Sequence, residues 1–249
     1  DSFICTQDLK DEKYTNSMFV VMATKKGQVK KTSLEQYSRP RTNGINAITV
    51  REGDELLEAK LTTGLSQVVL AVKSGKAIRF EESKTRPMGR NASGVRGISL
   101  KDANDEVIGM VTVNDLDSDI LVVSEHGYGK RSNLDDYRIT NRGGKGVKTL
   151  SLTEKTGNLV AIKNVNDEDD LMIINRSGIA IRLGVDTLRV MGRATQGVRL
   201  INIKDDDSIA AVAKVMNDGD EIQDVDDLSL IHISEPTRRR GIAYAVFCL

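Results

Sequence analysis

"EHGYGKRSNLDDYRITNRGGKGVKTLSL", residues 125–152, sets two glycines nineteen residues apart, with a cation four residues after the first and an apolar pattern after the second. The same arrangement occurs four times. The first glycine is Gly27 in "KKGQVKK", Gly75 in "KSGKAIR", Gly127 in "EHGYGKR" and Gly178 in "RSGIAIR", at spacings of 48, 52 and 51 residues. Four residues on stand Lys31, Arg79, Arg131 and Arg182. The second glycine is Gly44, Gly94, Gly146 or Gly197, and each opens the template Gly-apolar-x-x-apolar-x-apolar. Its apolar positions are Ile45, Ile48, Val50; Val95, Ile98, Leu100; Val147, Leu150, Leu152; and Val198, Ile201, Ile203. A period near fifty residues is the mark of a repeat architecture in which neighbouring units complete one another's core.

The segments between the glycines read as strands. "MFVVMAT", "QVVLAVK", "DILVVSE" and "DLMIINR" are apolar and β-branched, and each runs into a polar-Gly turn, the signal of a hairpin. A further strand pattern recurs in "DELLEAKLT", "DEVIGMVTV", "NLVAIKNV" and "DSIAAVAKV". Short stretches such as "SLEQYSR" and "NLDDYRI" suit a single helical turn. Each repeat then supplies about four strands, the size of a propeller blade. The expectation is an all-β, propeller-like array with blades at 18–63, 68–115, 119–166 and 170–217. "GGKGVK" lacks the Gly-x4-Gly-Lys-Ser/Thr spacing of a nucleotide cradle, so Gly146 reads as a turn that every blade repeats.

Composition excludes more than it selects. Two histidines, His126 and His232, give nucleophile–His and His–metal chemistry little to build on. Cys5 and Cys248 at opposite ends suggest no disulfide framework, so a reducing cytoplasm is the default expectation, and no apolar run has the length of a membrane helix. Trp is absent, which disfavours stacking platforms for single strands and Trp-marked protein-interaction propellers. A start at Asp1 reads as a piece of a longer chain.

The net charge of zero is a cancellation. Residues 18–216 carry 31 Lys or Arg against 25 Asp or Glu, a net of +6, and the flanks carry the compensating −6. Cations keep register across the repeats: the four already named, then Arg41, Arg90, Arg142 and Arg193 before the second glycine, then Arg96, Lys148 and Arg199 after it, with Lys145 beside Gly146. Equal positions in a circular array fall on one rim, and a basic rim with repeated spacing suits a polyanion. For any single member, ordinary solvated surface is the alternative.

"GYGKRSNLDDYRITNRGGKGVKTL", "AIRFEESKTRPMGRNASGVRGISL" and "VMGRATQGVRLINI" resemble the C-terminal domains of DNA gyrase A subunits, over about residues 18–217. The related domain of topoisomerase IV A subunits is the alternative within that resemblance. It implies a β-pinwheel whose blades exchange a strand, with duplex DNA bent around the basic rim. It also implies the partners of the full enzyme, the B subunit together with the rest of the A subunit, in an A2B2 assembly. There, ATP and Mg2+ drive negative supercoiling, while this chain carries neither a catalytic residue nor a cofactor of its own. Asn141, Arg142, Gly143, Gly144, Lys145 and Gly146 resemble the last six positions of the family's Gln-Arg-Arg-Gly-Gly-Lys-Gly box, with Thr140 in place of Gln and Asn141 in place of the first Arg. Gly143 and Gly144 would let backbone approach phosphates. The family box sits in the first of six blades, so these four repeats read as the last four, with a blade edge left unpaired on the N-terminal side.

Residues 1–17 read as the remnant of a preceding blade or linker, and 218–249 as an acidic, disordered tail. Its end, about 228–249, breaks the repeat register and reads as translated adapter sequence.

Overall fold

The computed structural model describes residues 3–203, 207–216 and 247–248. Four hairpins organise it. They pair Phe19–Thr24 with Gln28–Ser33, Gln67–Val72 with Lys76–Glu81, Asp119–Ser124 with Tyr128–Asn133, and Asp169–Asn175 with Ala180–Gly184. We number the blades 1 to 4 by these hairpins. Each chain reversal ends on the first glycine of its repeat. There the N–H donates to the carbonyl three residues back at 3.0–3.1 Å, and φ lies between +76° and +89°. That left-handed backbone costs glycine nothing and any other residue about 1–2 kcal/mol.

A third strand, Leu56–Thr62, Val107–Val113, Leu159–Val165 or Ile209–Met216, pairs antiparallel with the leading hairpin strand, with a register shift at the same end in every blade. The fourth strand is where the arrangement departs from a self-contained blade. Val95–Arg96 joins the sheet of blade 1 opposite Gln28 and Val29, Val147–Lys148 joins blade 2, and Val198–Arg199 joins blade 3. The template after the second glycine therefore completes the preceding blade rather than its own. Three sheets have four strands, and among the described residues the sheet of blade 4 has three, with Ala180–Gly184 at its edge. Among the described residues the three-stranded sheet is that of the last blade, while the sheet of blade 1, on the N-terminal side, is completed by Val95–Arg96, because donation runs backwards along the chain.

The core sits between blades. The apolar run Val68–Val72 sends Val68, Leu70 and Val72 toward Val21, Ala23 and Val29 of blade 1, and Val69 and Ala71 toward Ile120 and Val122 of blade 3. Leu121 and Val123 pack likewise on Leu171 and Ile173. A strand buried on both faces needs apolar residues at consecutive positions, which is why these runs do not alternate. The outer face of blade 1 is covered by the N-terminal segment, with Ile4, Leu9 and Tyr14 packed near Val20, Met22 and Leu34. That segment includes the helix Glu12–Ser17, capped by Asp11, and the strand Phe3–Ile4, which pairs with Phe247–Cys248. The acidic run 218–227 and most of the adapter-like end lie outside the described residues.

Three of the four second glycines press against the backbone of a neighbouring blade. A Cβ at Gly94, Gly146 or Gly197 would lie 2.5–2.6 Å from a backbone carbonyl oxygen of the preceding blade, whereas one at Gly44 would meet nothing within 4 Å. Both kinds of site have positive φ. Gly44→Ala should therefore cost about 1–2 kcal/mol for backbone conformation alone, and Gly146→Ala about 1–3 kcal/mol more for overpacking. Urea unfolding of the two variants checks this, and equal losses would show that the joint tolerates a side chain.

Candidate nucleic-acid interface

The twelve cations picked out by register separate into three environments. Lys31, Arg79 and Arg131 do not stand on the rim; they are only 4, 5 and 9% exposed. Each crosses to the next blade. Lys31 pairs with Glu82 at 2.9 Å and lies 4.3 Å from the Phe19 ring. Arg79 donates from Nη1 to the carbonyls of Leu134 (2.7 Å) and Tyr137 (3.1 Å) and from Nε to Gln67. Arg131 binds Asp119 and Asp167, each at 2.5 Å, and reaches the Val185 carbonyl. The partners Glu82, Leu134 and Val185 belong to the short 3-10 turns Glu82–Lys84, Leu134–Asp136 and Val185–Thr187. This register is thus a clasp between hairpin and neighbouring turn. Arg182, in the last blade, is exposed and pairs with Asp170 of its own blade at 2.6 Å.

Arg90, Arg142 and Arg193 are half-buried, and two of them stitch the rim loops together. Arg142 donates to the carbonyls of Lys84 and Arg96 at 3.0 and 3.2 Å, and Arg193 to that of Lys148 at 2.9 Å. Ser99 and Ser151 repeat the stitch with backbone N–H bonds to the carbonyls of Gly144 and Thr195 in the next blade, and Thr49 does the same toward Ala92. Arg41, Arg96, Lys145, Lys148 and Arg199 are exposed. Arg199 lies 5.3 Å from the Tyr128 ring and donates to its hydroxyl at 2.9 Å, which holds that phenol below its ordinary pKa.

The turn at 141–146 is pinned to blade 2. Gly143, at φ +83°, donates its N–H to the Gly97 carbonyl and accepts from the Ser99 hydroxyl at 2.7 Å. Its glycine freedom serves this contact, while Gly144 and Lys145 face solvent. A cleft beside the turn, of about 250 Å³, is lined by Arg79, Arg138, Asn141 and Lys145, and a second of the same size, between the loops of blades 1 and 2, by Arg41 and Arg90. Gly146 makes the close inter-blade approach described above.

Lys30 and Lys130, adjacent to the clasp residues, are fully buried and extend beneath the rim loops. Lys30 donates to the carbonyls of Ala47 and Arg90; Lys130 donates to the Gly192 carbonyl at 2.7 Å and the Thr195 hydroxyl at 3.2 Å. Among the described residues no carboxylate is bonded to either. Burial pulls both ammonium groups down to about 8, with Arg90 and Arg193 adding repulsion and Asp136 partly offsetting it at Lys130.

A family model described as "DNA gyrase C-terminal domain, beta-propeller" matches residues 19–63, 67–114, 118–166 and 169–216. The chain belongs to the DNA gyrase C-terminal domain family. It is 44% identical over 236 residues to the DNA gyrase A subunit of Staphylococcus aureus strain NCTC 8325, a match covering 94% of this chain and 26% of that protein. The corresponding protein of strain MRSA252 is 46% identical over 222 residues, covering 88% and 24%. The chain thus spans about a quarter of the length of the curated relatives it matches. Among solved structures it is similar to the C-terminal domain of DNA topoisomerase IV (TM-score 0.76, 23% identity, 80% of this chain and 62% of that one) and to a DNA gyrase A C-terminal domain (TM-score 0.72, 23% identity, 81% and 67%). At that identity the likeness is one of fold, and it agrees with the β-pinwheel reading.

In this gyrase C-terminal domain one further cation register is hidden by the glycine spacing. Arg39, Arg86, Arg138 and Arg189 are all exposed, and among the described residues no hydrogen bond or ion pair engages their side chains. They stand five, eight, eight and eight residues before the second glycine, so the first copy hides the pattern, but twelve, eleven, eleven and eleven residues after the first glycine.

The buried lysines give the fold a pH signature. Between about pH 8 and 10.5 the unfolded chain holds protons on these two amines that the folded chain has released, so their contribution to stability rises with pH across that window and is level below it. Urea melts from pH 7 to 10 should show a steeper rise for the parent chain than for Lys130→Met; parallel curves would show that Lys130 keeps its ordinary pKa in the fold.

Proposed function

We propose that this chain binds duplex DNA along its basic rim and bends it around the disc, as the DNA-wrapping part of a gyrase A subunit. One observation carries the reading: in a member of the DNA gyrase C-terminal domain family, exposed cations recur at equal positions on consecutive blades whose loops are bonded into a continuous edge. Arg41, Arg96, Lys145, Lys148 and Arg199 are the phosphate-facing residues, with half-buried Arg90 beside them and Arg142 and Arg193 holding the loops. Phosphate contacts fix a duplex without reading its sequence, so binding is broad in sequence and steep in salt. Bending stiff duplex requires many contacts at once, which a rim shared by several blades supplies.

The wider activity belongs to the assembled enzyme. In that reading the wrapped segment is presented with a fixed hand to the remainder of the A subunit, and with the B subunit the complex introduces negative supercoils at the expense of ATP. Mg2+ and ATP act in those other parts. Among the described residues no group of three or more His, Cys, Asp or Glu side chains is placed to hold a metal ion. No described helix is long and apolar enough to cross a membrane, and the proposed setting is the bacterial cytoplasm, on the chromosome.

Fluorescence anisotropy with a labelled duplex tests the reading across a salt series. Lys145→Ala/Lys148→Ala should weaken binding modestly and lower the slope of log K against log salt by about 1–2, with stability unchanged. Arg131→Met, which strands Asp119, should instead cost about 3–5 kcal/mol of stability. Equal binding by the rim variant and the parent chain at all salt concentrations would refute the assignment.

A further inference from the structure

Arg96, Lys148 and Arg199 stand at one position of consecutive donated strands and are all exposed, yet they are not held alike. Each sits opposite a residue of the acceptor hairpin: Arg96 opposite Gln28, Lys148 opposite Lys76 and Arg199 opposite Tyr128. Among the described residues no hydrogen bond or ion pair engages the side chain of Arg96 or Lys148. Arg199 donates from Nη2 and Nε to the Tyr128 hydroxyl at 2.9 and 3.3 Å and from Nη1 to the Asn202 side-chain carbonyl at 2.7 Å. Its guanidinium also lies 5.3 Å from the centroid of the Tyr128 ring. Tyr128 is a fixed mount, only 8% exposed, in a strand paired along both edges.

The surroundings of Tyr128 differ from the corresponding hairpin tips in charge as well. In blade 1 the tip N–H of Lys26 donates to the Asp54 carboxylate at 2.8 Å, and in blade 2 that of Ser74 donates to Asp105 at 3.0 Å. In blade 3 the corresponding N–H, of His126, donates instead to the Thr156 backbone carbonyl at 3.0 Å. The same loop carries Lys155, whose ammonium lies 5.6 Å from the Tyr128 ring centroid. Glu154 and Asp207 line the adjoining cleft but form no ion pair with either cation, and Asp207 accepts from the Ser177 hydroxyl and the Ser208 N–H at 2.7 and 2.8 Å.

A long cationic side chain that is free in solvent loses rotamer freedom when it settles on a phosphate, and one already held in place does not. The bonds to Tyr128 and Asn202 leave Arg199 an N–H on each Nη, enough to meet oxygens of a phosphate. We infer that Tyr128 is a positioning residue that fixes Arg199 for phosphate before DNA arrives, with Lys155 beside it, so that the junction of blades 3 and 4 makes the strongest single contact of the donated-strand register and sets where a duplex is seated. The inference rests on the proposed binding of duplex DNA and adds that equal rim positions contribute unequally.

The test uses the 249-residue chain. Without DNA, the heteronuclear NOE of the arginine Nε–H groups should show Arg199 rigid and Arg96 mobile, and Tyr128→Phe, which keeps the ring and removes the hydroxyl, should make Arg199 mobile. Equal mobility of the two arginines in the parent chain would overturn the inference. With a labelled duplex followed by anisotropy across a salt series, Arg199→Ala should weaken binding about tenfold and Arg96→Ala about threefold, each lowering the slope of log K against log salt by about 1. Tyr128→Phe should weaken binding about threefold with an unchanged slope, because no charge is lost, and should have no further effect in the Arg199→Ala background. A Tyr128→Phe loss of the same size with and without Arg199 would show that the tyrosine acts on the fold rather than through the arginine. Equal losses for Arg199→Ala and Arg96→Ala would likewise overturn the inference while leaving DNA binding intact. A parent chain that does not bind duplex at low salt would overturn the binding proposal and this one with it.

Discussion

The glycine pairs that meet at each of the three blade junctions, each glycine pressed against the backbone of the neighbouring blade, are the constraint on which the rest of this structure depends. The carbonyls of Gly27, Gly75 and Gly127 each accept two N–H groups from the following blade, at 2.8–2.9 Å and 3.3–3.4 Å. In return, Gly94, Gly146 and Gly197 leave no room for a side chain against the blade before them. This close approach lets a two-residue strand finish a neighbour's sheet, brings both faces of the hairpins of blades 2 and 3 into apolar contact, and puts the clasp residues within reach of the next 3-10 turn. Gly178 and Gly44 show the same geometry without the partner: positive φ, and open space where a Cβ would stand.

Positive charge does two separate jobs here. The inner set is tolerated because each group is matched: Lys31 by Glu82, Arg131 by two aspartates, and Arg79 by carbonyl and amide oxygens. Burying such groups costs several kcal/mol unless hydrogen bonds and partners replace water. Lys30 and Lys130 make the same point without a carboxylate, which is why burial moves them furthest. The outer set, Arg41, Arg96, Lys145, Lys148 and Arg199, keeps its charge in solvent. Rim and interior are mechanically joined, since the residue that clasps the next turn also accepts the hydrogen bond that fixes the adjoining rim loop.

The repeat, the hairpins, their turns and the strand before each next copy were legible in the sequence, because glycine placement and β-branched runs are local signals. Which sheet receives Val147–Lys148 was not legible from the residues, since two residues have no period of their own and the glycine pattern is the same whether the strand stays or is donated. The family resemblance supplied the exchange; the residues alone did not. The cation register was read as a regularity, and as a surface it fails at Lys31, Arg79 and Arg131, which are buried. In "KKGQVKK", Lys30 and Lys31 point to opposite faces and both are buried, which charge statistics argue against. The glycine pair Gly143-Gly144 suggested an open backbone, yet Gly143 is spent on the contact with Gly97. The unpaired arginines before Pro40, Pro87, Ile139 and Val190 escaped because the first repeat is three residues shorter at that point.

Backward donation of one strand also uncouples the unit of sequence from the unit of structure. Every sheet from blade 1 to blade 3 is assembled from two consecutive repeats, and the three junctions share the same backbone hydrogen bonds. Removing or adding one whole period at any equivalent point would rejoin an acceptor hairpin to an equivalent donor and leave every internal sheet intact. Only a cut that falls within a period separates a donor from its acceptor. Gene duplication and loss can therefore change the number of blades, and so the length of rim available to a polymer laid along it, without the intermediate forms losing a folded core.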